Sequence, residues 1–313
     1  MPHFLLKRIL ATLPVMLVVA VIVFTLIRMV PGDPAAVIGG NMATNEDIAR
    51  IRTELGLDRG FFTQFLIWGK GLLTGDLGQS FFFKKNVSEI LADRIGPTVS
   101  LALLTIIITV LVAVPLGTIA AWKHGGLLDR ALMGFSVIGF SIPVFVIGYL
   151  LVYFFALKLD WFPVQGYKPL AEGFWQWLHH LLLPAITLSM VYVALIARVT
   201  RASVAEALTE DYVRTARAKG LPETRVLIKH ALANAAVPIV TVIGIGVALL
   251  IGGVVVTESV FSIPGLGTLT VDAVLARDFP VIQAVILLFA FMYVMINLLV
   301  DISYLFLDPR IRY

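Results

Sequence analysis

Six apolar blocks, each long enough to cross a lipid bilayer, constrain this sequence more than any other feature. A transmembrane helix needs about 20 apolar residues. The blocks are residues 9–27, 98–121, 131–157, 181–197, 235–257 and 281–300. Only 14% of the residues are charged, against about 25% in soluble domains. The sequence therefore predicts an all-α integral membrane protein with six transmembrane helices, some of them bent at Pro143, Pro184 or Pro238.

The blocks divide the chain into four predicted parts. These are an N-terminal transmembrane helix (1–30), an extracytoplasmic segment with short helices (31–97), a five-helix core (98–306) and a short tail (307–313). The first block follows Lys7 and Arg8 as a signal peptide would. Its apolar run is too long for a signal and no small-residue cleavage pattern follows, so we interpret it as a retained helix.

The positive charges predict the orientation of the chain. Thirteen Lys and Arg residues lie at the amino terminus, after the second and fourth blocks and in the tail, against three in the short connectors on the other side. The long segment after the first block is left out, because long loops escape the positive-inside rule. The rule places both termini, the tail and the connector after the fourth block in the cytoplasm.

The extracytoplasmic segment is predicted to contain two helices. Thr44 and Asp47 resemble a capping box before a helical apolar face, with a stop at Gly56. A second helix lying at the membrane interface is predicted from a run of large apolar side chains. That run comprises Phe61, Phe62, Phe65, Leu66 and Trp68.

The sequence lacks the residues and motifs of several kinds of catalytic and metal site. There are no cysteines, no phosphate-binding loop and no zinc-protease motif. The His179–His180 pair is a weak metal signal, so no metal ligand is assigned. Asn297 and Asp301 form the main polar pair in the blocks. They are candidate residues of the pore or its inner end, but solvation of a helix end explains them as well.

The basic connector at residues 203–238 is the most informative stretch. Residues 206–219 lack Gly and Pro, and Leu208, Tyr212 and Ala216 give a narrow apolar stripe at four-residue spacing. Gly220 suits a left-handed turn, after which a second helix at about 223–233 leads into the fifth block. Such an element can dock a partner protein or lie on lipid phosphates.

Five short stretches spread over the chain carry a family resemblance. They are Asp211-Tyr-Val-Arg-Thr-Ala-Arg-Ala-Lys-Gly220, His230-Ala-Leu-Ala-Asn-Ala-Ala-Val-Pro238, Val30-Pro-Gly-Asp-Pro34, Glu258-Ser-Val-Phe-Ser-Ile-Pro-Gly-Leu-Gly267 and Leu307-Asp-Pro-Arg-Ile-Arg-Tyr313. Together they resemble the permeases of binding-protein-dependent ABC importers. The resemblance is greatest to the B-type subunit of the dipeptide, oligopeptide and nickel group, and it covers essentially the whole chain.

The resemblance implies a fold, partners and a division of labour. The fold would be that of a type I ABC importer permease in a bacterial inner membrane. A homologous second permease subunit, two ATP-binding subunits and an extracytoplasmic solute-binding protein would be its partners, alongside membrane lipid and without nucleic acid. ATP and magnesium would bind the ATP-binding subunits, so this chain would hold no cofactor and would not be an enzyme.

The resemblance also implies site residues. The docking residues for the ATP-binding subunits would be Tyr212, Arg214, Thr215, Ala216, Arg217, Ala218, Lys219 and Gly220. Candidate residues of the outer mouth or gate are Glu258, Phe261, Pro264 and Gly265, although packing explains them nearly as well. The family's usual Glu-Ala-Ala, six to four residues before the glycine, is Arg-Thr-Ala here, and Pro238 lies farther from Gly220 than usual. No role of the family's glutamate is therefore transferred.

Two other classes of protein compete with this interpretation. An ion-coupled carrier or channel acting without an ATPase would need charged side chains near the middle of the membrane, and these are scarce. A membrane-embedded enzyme would need a cluster of acidic or histidine side chains at that depth. The solute stays open among dipeptides, longer peptides, glutathione and nickel complexes.

Overall fold

The computed structural model describes residues 2–29, 35–36, 44–54 and 58–307. The stretch 30–34, the predicted stop at Gly56 and the tail from residue 308 lie outside the described residues. Where it is described, the chain forms helices joined by turns, with an isolated antiparallel bridge between Gln79 and Asn86. The predicted all-α class is confirmed.

The helices are numbered here in chain order. They are α1 (Pro2–Met29), α2 (Asn45–Glu54), α3 (Phe61–Thr74), α4 (Val87–Trp122), α5 (Leu127–Ser141), α6 (Val144–Leu151), α7 (Phe174–Ala207), α8 (Asp211–Ala218), α9 (Glu223–Arg225), α10 (Ala236–Val260), α11 (Leu266–Ala276) and α12 (Phe279–Leu307). Wider π-helical turns extend α6 over Val152–Lys158 and α9 over Val226–Leu232. The two helices predicted between the first and second blocks are present as α2 and α3.

Five described helices, α1, α4, α7, α10 and α12, are long and apolar enough to span a membrane, and the number is six if a bent pair counts as one span. The prediction of one transmembrane helix for the third block is wrong, because that block forms this bent pair. It breaks between α5 and α6 with a bend of 102°. The break falls at Pro143, because proline has no N–H to donate and disfavours helical backbone in the residue before it. Pro184, by contrast, lies inside an unbroken α7.

Residue contacts divide the chain into two compact units. The first comprises Met1–Leu5, Gly96–Thr268 and Met295–Tyr313, and the second comprises Leu6–Ile95 and Leu269–Val294. The core of the first unit is made by apolar side chains of α4, α7 and α10, including Leu101, Leu188, Tyr192, Leu250 and Val254. Burying these side chains against one another fixes the arrangement of the helices that carry the functional site.

Gly117 lies where α4 packs closely against α7. A Cβ atom added at this position would lie 2.5 Å from the carbonyl oxygen of Ala197 and 2.7 Å from the Cβ of Thr200. Backbone oxygen cannot rotate away, so the two helices can touch only where a side chain is absent.

We expect Gly117→Ala to destabilise the protein by about 1–3 kcal/mol through overpacking. The matched control is Gly134→Ala on α5, where an added Cβ meets nothing within 4 Å. Thermal unfolding of the two purified variants measures the difference. Equal melting temperatures for Gly117→Ala and Gly134→Ala would contradict the packing described for α4 and α7.

The second unit is held by an aromatic cluster and a polar latch. Phe24 of α1 is buried, and its ring lies 5.2–5.3 Å from those of Phe61, Phe65 and Trp68 on α3. In the latch, the hydroxyl of Ser80 and the backbone N–H of Phe82 donate to the buried carboxylate of Asp278. The run of aromatic residues predicted to form an interfacial helix therefore packs against the first span.

Candidate functional site

The basic element between α7 and α10 contains a short separate helix. The sequence predicts a helix that begins near residue 206, and this boundary is wrong. α7 ends at Ala207, and the backbone N–H groups of Thr209 and Glu210 bond to carbonyls three residues earlier, at 3.0 and 3.3 Å. These tighter bonds close α7, and α8 starts afresh at Asp211.

One face of α8 is buried against the chain itself. Val213 and Ala216 are 0% and 5% exposed and pack with Val226. The predicted exposed stripe through Leu208, Tyr212 and Ala216 is wrong, because Tyr212 is 39% exposed whereas Ala216 is 5% exposed, so the three do not share one open face. The turn before Asp211 interrupts the helix, so Leu208 no longer shares a helical face with Tyr212 and Ala216. The buried positions of α8 are 213 and 216.

The turn after α8 has the geometry predicted for Gly220. This glycine has φ +74°, the left-handed conformation that favours glycine, and its N–H bonds to the carbonyl of Arg217 at 2.9 Å. The guanidinium of Arg217 donates to both carboxylate oxygens of Glu223 at 2.9 and 3.3 Å. An ion pair thus braces the turn, and Arg217 is engaged within the chain.

The opposite face of α8 is open. Asp211, Arg217 and Gly220 are exposed as well; the other exposed residues, called the α8 surface below, are Tyr212, Arg214, Thr215, Ala218 and Lys219. Partial desolvation, with the carboxylate of Glu210 nearby, raises the pKa of Tyr212 above its usual value, and the protonated phenol can donate a hydrogen bond. Of the predicted docking residues, Ala216 is the one that lies underneath and supports this surface from within.

A cluster of small apolar residues fixes the base of this element. Val204 and Ala207 of α7 pack with Leu227 and Ala231, which follow α8, and with Ile239 of α10. The residues before and after α8 are therefore packed together. Because these contacts join the residues that follow α8 to α7 and α10, a displacement of α8 would move α7 and α10 as well.

Glu258 lies at the end of α10 and is completely buried. Its carboxylate accepts hydrogen bonds from the hydroxyl of Thr98 at 2.5 Å and from the backbone N–H groups of Gly267 and Thr268 at 2.7 and 3.1 Å. The Thr98 hydroxyl oxygen in turn accepts the N–H of Leu266 at 2.8 Å. Together these bonds join the end of α10 to α4 and to the start of α11.

Most of the residues predicted for a gate meet in this corner. Phe261 is 1% exposed, and its carbonyl accepts the N–H of Gly166 at 2.9 Å. A Cβ added at Gly265 would overlap the carboxylate of Glu258. Pro264 is exposed. The structure brings Glu258, Phe261 and Gly265 together as a buried, hydrogen-bonded joint.

The polar pair on α12 is partly accessible. Asn297 is exposed and Asp301 is half-buried. Nearby, the hydroxyls of Thr241 on α10 and Tyr304 on α12 lie 2.8 Å apart, which joins these two helices by a polar contact. Sequence reasoning singled out neither Thr241 nor Tyr304, because an isolated hydroxyl in an apolar block carries no pattern.

A buried ion pair between α5 and α7 was also missed. Arg201 donates two hydrogen bonds to the carboxylate of Asp129, both at 2.8 Å. The N–H of Gly125 donates to the same carboxylate at 2.9 Å, and His124 Nδ1 lies 3.1 Å from it. The Asp129 side chain is 5% exposed and that of Arg201 is 21% exposed. The pair fastens the start of α5 to α7, ten residues before α8 begins.

The histidine pair is occupied by backbone contacts. His179 Nε2 lies 2.8 Å from the carbonyl oxygen of Trp161, and His180 Nδ1 lies 2.8 Å from that of Gln176. Within the described ranges, no group of three or more His, Cys, Asp or Glu residues could hold a metal ion.

Comparison with known proteins places the chain in a family. Residues 113–313 match the model of the binding-protein-dependent transport system inner membrane component, and residues 1–102 match the model of the N-terminal part of such membrane components. A Sinorhizobium fredii protein named "Probable peptide ABC transporter permease protein" is 52% identical, with 99% of each chain covered. A Salmonella choleraesuis protein named "Glutathione transport system permease protein" is 43% identical over the whole of both chains.

These matches and the helical architecture define a multi-pass permease of the inner membrane. The chain belongs to the family of binding-protein-dependent transport system inner membrane components. It is a permease subunit of an ABC importer, a class that works with ATPase subunits and a solute-binding protein. The comparisons give no support to an ion-coupled carrier.

Proposed function

We propose that this chain forms half of the pathway through which an ABC importer moves peptides or a related small solute. The names of its relatives support this substrate class, because one is named for peptides and another for glutathione, itself a small peptide. The chain would not be catalytic. ATP and magnesium would bind partner subunits, and a homologous second permease subunit would complete the pathway as a heterodimer.

The α8 surface is proposed to dock an ATP-binding subunit, with one such subunit for each permease subunit. The observation that carries this proposal is the two-faced structure of α8. Val213 and Ala216 anchor one face, while Tyr212 and Arg214 stand exposed on the other. The excess of Lys and Arg in this connector supports a cytoplasmic position for α8 and for both termini, on the side where ATP is available.

The mechanism follows from the packing around α8. When ATP draws the two ATP-binding subunits together, each would push an α8, and the cluster of Val204, Leu227 and Ala231 would pass the movement to α7 and α10. The pathway would then open toward the binding protein outside, and hydrolysis would reset it. Packed helices transmit such displacements because protein interiors are dense and resist compression.

Reversing a charge on the α8 surface should uncouple transport. We expect Arg214→Glu to lower solute uptake at least about tenfold, which corresponds to about 1.4 kcal/mol of lost docking free energy. The side chain of Arg214 is 76% exposed and pairs with Asp211, itself 95% exposed, at 3.3 Å; a surface ion pair of this kind contributes little to stability, so folding should be little affected. Copurification of the ATP-binding subunits and uptake into proteoliposomes measure the effect.

The matched control is Arg130→Glu, an exposed arginine of α5 outside the α8 surface. It makes the same charge change and should leave copurification and uptake near those of the unaltered protein. Normal docking and uptake by an Arg214→Glu, Tyr212→Ala double variant would contradict the docking assignment. Solute flux through this chain without ATP-binding subunits would favour the ion-coupled carrier instead.

A further inference from the structure

An apolar groove of about 730 Å³ lies within the second unit. It is lined by Met16 and Leu17 of α1, by one side of α3 and by Leu288 and Phe291 of α12. The aromatic cluster around Phe24 holds α3 against α1. The volume falls in the range of about 300–1,000 Å³ that is usual for small-molecule sites.

The position of the groove indicates its surroundings. Its α1 and α12 walls belong to two membrane spans, Arg8–Thr25 and Phe279–Tyr304. Leu73, on the α3 wall, is 91% exposed. Exposing so much of a leucine side chain to water is unfavourable, whereas contact with the hydrocarbon of a bilayer removes that cost. The groove therefore opens toward lipid tails.

One charged residue lines this apolar groove. Lys70 of α3 is exposed, and no described residue forms an ion pair or a side-chain hydrogen bond with its ammonium group. A lysine at the edge of an apolar surface places its stem along that surface and its ammonium group near the phosphates of lipids. A phospholipid offers both groups at once, an acyl chain for the apolar walls and a phosphate for Lys70.

We propose that the groove binds an acyl chain of a membrane phospholipid, whose phosphate pairs with Lys70. The long apolar wall suits the chain, and the lysine suits an anionic headgroup in particular. The lipid would fill the space between α1, α3 and α12 and so become part of the structure of the second unit. The proposal rests on the membrane location of the chain and is independent of the docking role of α8.

Filling the groove from within should displace the lipid. Gly69 lines the groove, and a Cβ added there meets nothing within 4 Å, so Gly69→Phe adds a ring at an open position of the groove wall. The matched control is Gly69→Ala, which also replaces the helical glycine but does not fill the space. The assembled transporter is reconstituted with phosphatidylglycerol that carries a photoreactive diazirine in one acyl chain, and labelled peptides are identified by mass spectrometry.

In the unaltered protein and in Gly69→Ala, we expect labelling of the α3 peptide, and a reduction of at least about fivefold in Gly69→Phe as apolar contact is lost. Lys70→Gln should remove any preference for phosphatidylglycerol over phosphatidylcholine with the same chain, whereas Lys70→Arg should keep it. Equal labelling in Gly69→Phe and the unaltered protein would overturn the proposal. Protection of α3 by the second permease subunit, with no lipid label, would also overturn it and assign the groove to that subunit.

Discussion

Replacing Glu258 with alanine is expected to prevent the protein from folding stably. The substitution removes the acceptor for the Thr98 hydroxyl and for the N–H groups of Gly267 and Thr268. Each buried donor left without a partner costs about 1–3 kcal/mol, so the total is about 3 kcal/mol or more. A cavity beside Gly265 adds to this loss. The yield of monodisperse protein and its melting temperature in detergent measure the effect.

The control for this prediction is Glu258→Gln, which keeps the shape of the side chain. The amide oxygen can still accept from Gly267 and Thr268, and the amide nitrogen can donate to the Thr98 oxygen, so one donor, the Thr98 hydroxyl, loses its acceptor instead of three. We expect Glu258→Gln to fold and to transport solute at a rate close to that of the unaltered protein. If Glu258→Ala were stable while Glu258→Gln folded but failed to transport, the carboxylate would act in gating and the structural role would be contradicted.

The spans were predictable because a membrane imposes one simple rule on sequence. Within hydrocarbon, every backbone polar group must be satisfied inside a helix, so a long apolar block can adopt little else. The ends of the helices were less predictable. α4 begins at Val87 and α7 extends to Ala207, well beyond their apolar blocks. Those extensions cross polar regions where composition no longer distinguishes a helix from a loop.

The turn at Gly220 was predictable for a local reason, since glycine reaches a left-handed conformation without steric strain. The buried face of α8 was not. Its phase depends on where the helix starts, and the start is fixed by the bonds that close α7 at Thr209 and Glu210. A shift of the starting point moved the apolar face from Tyr212 to Val213.

The hydrogen bonds of Glu258 and the ion pair of Asp129 could not be predicted, because their partners are far apart in the chain. Glu258 meets Thr98 across 160 positions, and Asp129 meets Arg201 across 72. Each residue alone is consistent with a solvated helix end. Only the packing of α10 against α4 and of α5 against α7 brings the partners together, and no spacing in a single sequence encodes that packing.

Breaking the ion pair at Asp129 is expected to destabilise the protein by about 1.5–3 kcal/mol in Asp129→Ala, because the partly buried Arg201 loses two hydrogen bonds to a charged partner. The double variant Asp129→Ala, Arg201→Met removes both charges. It should restore much of that stability, because the apolar methionine leaves no unpaired charge at the site. His124→Ala should have little effect, as the His124 side chain is 68% exposed.

Denaturant titration of the single and double variants gives the coupling free energy. Additive effects of the two substitutions would mean that the pair does not fasten α5 to α7. A favourable coupling together with lost uptake in Asp129→Ala would show that α8 needs a firmly held α7 to drive the pathway.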